Sequence, residues 1–531
     1  MEQRRLLIAF AVSLLLLVAY QEFVIKPYQK RRPAPAAPVA EGEAPVAPTA
    51  PPATPPASEL AAADTNALSV AVETDVFRAR ITAQGARLAE LQLTGYRRSV
   101  SPDSPPLDLV QPGAVLPLTL QVDEGVSDAG VVYRPDRPAL TVHGDDRQAL
   151  VFAGEGPEGL RLEKRFTFTG KSYLFEVTAA VSGETNRKKP AVGFVLTPVR
   201  NDAPAAAAHA TAIALAERRL VLKSLDDLRK HPTPLDTSTW AGFAEQYFLT
   251  VAISDAGPAR AVMSAVDGTP IVRVDAPLTD GRAAFDVYVG PKDREVLAEA
   301  DHDLDRALDF GWFWFIAIPL LQALRFLHRV TGNYGVAIIV LTTLVKVATI
   351  PLTQTTFRNM REMQKIQPQM TKLRERFKDD QVALQKEMME LYRRHRVNPF
   401  SGCLPMVLQI PIFVGLYNTL SHAIELRHAP FALWINDLSA PDRLIVPGIP
   451  VGTPVIGGGI PVLTLFMGAS MFLQQWLTPQ QGDPTQQRMM MFMPLVFTFM
   501  FINFPAGLVL YWLVNNVLTI GQQYVMMRTS K

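Results

Sequence analysis

Ile338-Ile-Val-Leu-Thr-Thr-Leu-Val-Lys-Val-Ala-Thr-Ile-Pro-Leu352 is an apolar run carrying one formal charge, Lys346. The stretch 333–353 around it is long enough to cross a bilayer at about 1.5 Å per residue. A lysine inside such a helix costs ~2.5–3.5 kcal/mol on insertion scales. From Lys346 to the expected helix end near Thr353 is roughly 10 Å, so reaching the surface would strain the side chain. Two readings remain: a snorkelling lysine, or a water-filled recess open to the cytoplasm and lined by neutral polar groups. Thr342, Gln409, Asn515, Asn516, Gln522 and Gln523 are available to line it.

Working outward, four further spans are expected at 402–422, 460–477, 489–504 and 506–527, with Pro505 turning the chain between the last two. None of these five spans contains Asp or Glu. Near the start, Arg4 and Arg5 precede an apolar run from Leu6 to Val18 with no small-residue cleavage pattern after it. That predicts an uncleaved anchor over 1–27 and a total of six spans. Residues 28–64 are Pro/Ala-rich, an extended spacer unable to bury a core.

From 65 to 305 short alternating runs such as Arg165-Phe-Thr-Phe-Thr-Gly-Lys-Ser-Tyr-Leu-Phe-Glu-Val177 are cut by Gly, Pro and Asp, the texture of an all-β sandwich. A helical piece is expected around Ala212 to Arg229. In 306–531 the membrane domain opens with 308–330, which has Trp312 and Trp314 at its start. Leu320, Leu324 and Leu327 fall on one side, with Gln322, Arg325 and Arg329 largely on the other, as in a helix lying in the membrane interface.

The loop 354–400 carries eleven Lys or Arg against six acidic residues, which places it in the cytoplasm. Six spans then put both termini inside and the β domain outside. Within that loop Phe357, Met360, Met363, Ile366, Met370 and Leu373 recur at helical spacing, followed by a turn at Lys378-Asp379-Asp380 and a returning helix. A helical hairpin follows from this pattern. Its methionines either grip apolar nascent segments or pack the two helices together.

Composition agrees with such a mixture: 48% hydrophobic and 19% charged overall, while the last third contains long uncharged stretches. The lone Cys403 excludes an intramolecular disulfide and reads as a packed small hydrophobe. No phosphate loop, H-E-x-x-H or G-x-S-x-G is present, and no histidine pair has metal-ligand spacing beside a carboxylate. No cofactor, metal or enzymatic reaction is expected.

The stretch Glu390 to Tyr417, with Val397-Asn398-Pro399, Gly402-Cys403, Pro405 and Gln409-Ile410-Pro411, resembles the YidC/Oxa-type membrane-protein insertases. So do Asn333-Tyr-Gly-Val-Ala-Ile338, Ala429-Pro-Phe-Ala-Leu-Trp-Ile-Asn-Asp-Leu-Ser439 and Phe504-Pro-Ala-Gly-Leu-Val-Leu-Tyr-Trp512. The β domain is similar to the periplasmic domain of the Gram-negative branch at Trp240 to Thr250 and Tyr288 to Lys292.

The resemblance implies a β-supersandwich, a bacterial inner membrane, and insertion of nascent membrane proteins alone or with the Sec translocon, with ribosomes as partners. The family's groove arginine falls on Lys346, its threonine on Thr342, its glutamine on Gln409 and its last-span aromatic on Trp512. Lysine keeps the charge and loses the planar fork. The Gly/Pro-rich loop Pro447 to Ile460 is an insertion relative to the pattern, and no long basic tail precedes Lys531 for ribosome docking.

An unpaired cation in a recess attracts acidic or polar tails and holds them part-way across, which suits transient contact with translocated segments. Two other classes compete: a transporter or channel for an anionic solute using Lys346, and a scaffold whose exterior domain binds a partner. The asparagine-proline block, the hairpin and the lack of an internal repeat favour the insertase.

Overall fold

The computed structural model describes residues 68–528 apart from 111–114, 123–125, 157–158, 184–190, 199–209, 267–268, 378–379, 396–403, 447–457 and 478–483. The expected anchor (1–27) and spacer (28–64) lie outside the described residues, as do Asn398, Pro399 and Cys403. The chain divides into two units at Leu308/Asp309.

Period-two alternation organises the first unit. In Arg161–Thr169 the side chains of Leu162, Lys164, Phe166 and Phe168 point inward while their neighbours are more exposed. This strand lies in a nine-stranded sheet with Arg147–Glu155, Leu174–Ser182, Arg282–Pro291 and Phe248–Ser254 among its members. A five-stranded sheet (including Ser69–Glu73 and Phe77–Thr82) meets it through Phe77 against Phe168, ring centroids 6.0 Å apart. A six-stranded sheet (including Ala191–Leu196 and Thr269–Pro277) meets it through Phe194 against Phe285, 4.9 Å edge to face. The expected β-sandwich is the observed architecture.

Lys164 occupies the junction of the three sheets and is fully buried. Its Nζ donates to Gly85 O (2.7 Å) and Leu118 O (2.8 Å) and pairs with Asp128 Oδ2 at 2.6 Å. Asp128 in turn accepts from Leu120 N and from the Tyr133 hydroxyl. Loss of water pulls the ammonium down to about 8 and pushes the Asp128 carboxyl up. Three acceptors for three protons keep the group charged at neutral pH.

The helical piece expected over Ala212 to Arg229 is mostly strand. Thr211–Ala216 and Arg219–Ser224 pair antiparallel, and helix is confined to Leu225–Lys230. Alanine and leucine favour helix locally, but Thr211–Ala216 also pairs with Trp240–Ala244 and is almost wholly buried between its neighbours. The turn gave no warning: Glu217 and Arg218 hold φ of 49° and 62° without glycine or asparagine.

Among the described residues seven α-helices build the second unit: α1 Trp314–Thr331, α2 Tyr334–Arg376, α3 Gln381–Arg394, α4 Leu404–His422, α5 Val462–Leu477, α6 Pro484–Phe501 and α7 Ala506–Arg528. The span and the first loop helix, expected as separate pieces, are one 43-residue helix, α2, about 65 Å long. Pro351 and Pro368 lie inside it, so proline here is accommodated and not a stop. The returning helix is α3, capped by Asp380, whose Oδ1 accepts from Val382 N and Ala383 N.

On α1 the buried face is Ala317, Leu321 and Leu324, rotated from the expected Leu320/Leu324/Leu327 stripe. Arg325 does not face outward with Gln322; it forms a part-buried ion pair with Glu425, which lets a charge sit against the neighbouring segment. By length and composition Gly311–Thr331 and Tyr334–Pro351 could each cross a bilayer, while Val462–Leu477 and Met490–Phe501 are apolar but shorter.

Polarity in this unit is inverted. Phe466, Trp476, Phe492, Leu495 and Phe499 are exposed, whereas Thr342, Thr419, Thr464, Ser470 and Asn516 are buried. Only an apolar solvent makes that arrangement favourable over such an area.

Asp128→Asn strips Lys164 of its counter-charge and is expected to cost about 3–5 kcal/mol in the β unit. Hydrogen exchange on the intact protein would show it as lost amide protection along Arg161–Thr169; unchanged protection would refute the junction role.

Candidate functional site

The N-terminal third of α2 meets the C-terminal half of α7 at Lys346. Its Nζ donates to Thr519 Oγ1 at 2.7 Å, and the Thr519 hydroxyl donates to the backbone carbonyl of Asn515 at 2.6 Å. Among the described residues this is the one hydrogen bond that the half-buried ammonium makes, and no carboxylate pairs with it. A charged hydrogen bond contributes about 1.5–3 kcal/mol. That offsets the insertion cost of the lysine only in part, and two N–H groups remain for water or a visiting group.

Helical geometry places the polar residues of α7 on one side. Trp512, Asn515, Asn516 and Thr519 follow the three- and four-residue spacing of a single face. Asn516 is buried and donates to Ser470 Oγ of α5 at 3.0 Å, so it fastens α7 to α5 and does not line the space beside Lys346. Thr342, one turn before Lys346, is buried and returns its proton to Ile338 O at 2.6 Å. The backbone of Gln409 belongs to α4; its side chain lies outside the described residues.

Trp512 sits two turns before Thr519 in an aromatic cluster. It meets Phe413 of α4 edge-on at 5.1 Å and Phe501 of α6 at 5.4 Å, and Phe504 and Tyr417 extend the cluster. Its indole Nε1 is buried with no hydrogen-bond partner among the described residues.

Thr519 is the partner that the sequence reading missed. It lies four residues after Asn515 and three after Asn516, so helical spacing from either asparagine reaches it. A threonine among apolar residues carries no signal of its own, because its hydroxyl usually bonds back to its own helix. Here it does so and still accepts from Lys346.

The N-terminal ends of α2 and α7 are closed over by the segment 423–446. Asn333 caps α2 with Oδ1 accepting from Val336 N, and its Nδ2 donates to Phe431 O at 3.0 Å. Gly335 lies under the Phe431 ring, which a Cβ there would meet at 2.0 Å. Gly507 N and Ala506 N, at the start of α7, donate to Leu438 O and Ala440 O.

Asp442 is buried, accepts from Trp434 Nε1 at 2.6 Å, and caps α5 by accepting from Leu463 N. Arg443 reaches Ile502 O and Asn503 Oδ1 at the turn between α6 and α7. The helix bundle is thus tied shut at the end remote from Lys346.

Residues 326–531 match the family model of the 60Kd inner membrane protein, and residues 69–323 that of the YidC periplasmic domain. The membrane protein insertase YidC of Syntrophobacter fumaroxidans is 38% identical over 98% of this chain and 99% of its own. This chain belongs to the YidC family of membrane protein insertases. The homologues of Geobacter metallireducens (38% identical, covering 98% of this chain and 97% of the relative) and Maridesulfovibrio salexigens (36%, covering 100% of both) align equally fully.

An active YidC insertase crystal structure, with the first transmembrane domain resolved, aligns over 88% of this chain and 94% of its own at 19% identity and a TM-score of 0.38. Membership makes the chain a membrane protein insertase with a periplasmic domain, and the transporter and scaffold readings give way to it.

Thr519→Val and Asn516→Val each remove one interhelical hydrogen bond. Asn516 is wholly enclosed, whereas the half-buried Lys346 has room to turn to water, so Asn516→Val is expected to lower the melting temperature in detergent more. The reverse order would show that the Lys346 site is dry.

Proposed function

We propose that clients enter the bilayer along a polar recess centred on Lys346, with no nucleotide, cofactor or bond-making step. The ammonium, held by one neutral hydroxyl, attracts the acidic or polar exported tail of a nascent membrane protein and lowers the barrier to its passage. The apolar surfaces of α4 and α6 receive the client's hydrophobic segment. Thr342, Gln409 and Trp512 belong to the contact surface by their resemblance to the family's groove positions, and Asn515 lies on the same face of α7, while Asn516 holds that helix to α5. The observation that supports this reading most is that Lys346 has one neutral partner among the described residues, because a structural lysine would be fully paired.

The layout that goes with it has six spans, counting the anchor at 1–27, with α1 at the membrane interface and both termini in the cytoplasm. The large domain at 65–305 is then periplasmic and the α2–α3 hairpin cytoplasmic. Eleven basic residues in 354–400 support that orientation. We further propose that the protein works in the bacterial inner membrane alone or beside the Sec translocon, receiving chains from ribosomes. The basic hairpin is our candidate for ribosome contact.

Depletion followed by rescue tests the recess. A two-span client with an acidic exported tail is expected to insert normally with Lys346→Arg. With Lys346→Ala it should insert about tenfold more slowly, the equivalent of ~1.4 kcal/mol of lost attraction. Full rescue by Lys346→Ala would remove the charge from the mechanism.

A further inference from the structure

Gln522 lies one turn beyond Thr519 on α7, toward the C-terminal ends of α2 and α7. Both the Nε2 and the Oε1 of its side chain are buried, and neither has a hydrogen-bond partner among the described residues. Such a group is costly wherever water is scarce. The indole Nε1 of Trp512, nearly three turns earlier on α7, is likewise buried with no hydrogen-bond partner among the described residues, whereas most other polar side chains nearby are paired. Thr342 and Thr349 return their protons to their own helix, Asn516 pairs with Ser470, and Thr519 serves both Asn515 and Lys346.

At 100° per residue, Trp512, Asn515, Asn516, Thr519 and Gln522 fall within an arc of about 120°, so Gln522 shares the face that carries the partner of Lys346. It sits at one edge of that arc.

We propose that Gln522 is a binding group for peptide bonds of the client. This rests on the reading of the Lys346 recess as the client's path. A carboxamide presents one acceptor and a donor side by side, the complement of the N–H and C=O of an extended chain. A polar tail crossing the bilayer before it has folded carries backbone groups that lipid leaves unsatisfied. Lys346 attracts by charge and therefore discriminates among tails. Gln522 pairs with what every tail has, so its contribution is independent of side-chain identity. The two unmet atoms of its amide are the ones this pairing uses.

The test uses the full-length protein and two single-span clients, one with a Ser/Gly/Asn exported tail and one with two aspartates added to it. Gln522→Leu is expected to slow insertion of both by the same several-fold factor, while Lys346→Ala slows the acidic tail selectively. If Gln522→Leu leaves both rates unchanged, or discriminates between tails as Lys346→Ala does, the inference is wrong. A selective Lys346→Ala beside a silent Gln522→Leu sinks only this inference; a silent Lys346→Ala beside an equal loss in Gln522→Leu sinks only the charge-based recess.

Should Gln522→Leu fail to accumulate, a photo-crosslinker in place of Gln522 decides. Crosslinks from position 522 to the tails of both ribosome-stalled clients support the proposal, and their absence overturns it.

Discussion

The bond from Lys346 to Thr519 imposes a requirement that the rest of the helical unit must meet. An ammonium group among apolar helices needs partners for three protons, and one threonine supplies one. Among the described residues no second partner is present. The helices around it leave polar surface inward and apolar surface outward. Asn516, Ser470 and Thr464 are buried while Phe492 and Phe499 are exposed. The aromatic cluster of Trp512, Phe413 and Phe501 bounds this polar stretch of α7 on one side.

The other buried lysine makes the point by contrast. Lys164 is surrounded by Asp128 and two backbone carbonyls, and each element it touches belongs to a different sheet or lies at its edge. Nothing about it is left over for a ligand, and its work is to hold three sheets in register. Lys346 has no carboxylate within its unit's spans and one hydroxyl at hand. The same side chain has its hydrogen bonds complete in the first case and, among the described residues, incomplete in the second. Buried charge alone does not separate the two cases; the count of satisfied protons does.

Much of this was legible in the residues and some was not, for identifiable reasons. The alternation in Arg161–Thr169 announces a strand with one buried face, and the sheet pairs accordingly. Lys164, however, falls on the inward row and looked like any surface lysine of a strand, because its partners come from residues 79 and 46 positions away. The strand at Thr211–Ala216 was hidden by its alanines, whose local preference is overruled by neighbours on both sides. In the helical unit Lys346 was conspicuous by its cost. Its partner was not, since Thr519 differs in no local property from the threonines that only back-bond. The continuity of α2 through Pro351 was obscured by a residue that usually ends helices.

Three of the blocks that resemble the family do not surround Lys346. Asn333 to Ile338, Ala429 to Ser439 and Phe504 to Trp512 converge at the opposite end of the bundle, where Asn333 meets Phe431 and Gly507 meets Leu438. Close approach leaves no choice at Gly335, which has no room for a Cβ under the Phe431 ring. The recess makes looser demands. It needs a cation within reach of Thr519 and polar surface beside it, which a flexible lysine meets as well as an arginine does when the anion recognised has no fixed orientation. Tight geometry at the closed end beside loose geometry at the charged one fits the proposal that many different tails pass through one rigid frame. On this view the exchange of arginine for lysine at position 346 preserves attraction and gives up bidentate fit, and the less a client's tail depends on a planar carboxylate contact, the less that exchange should matter to it.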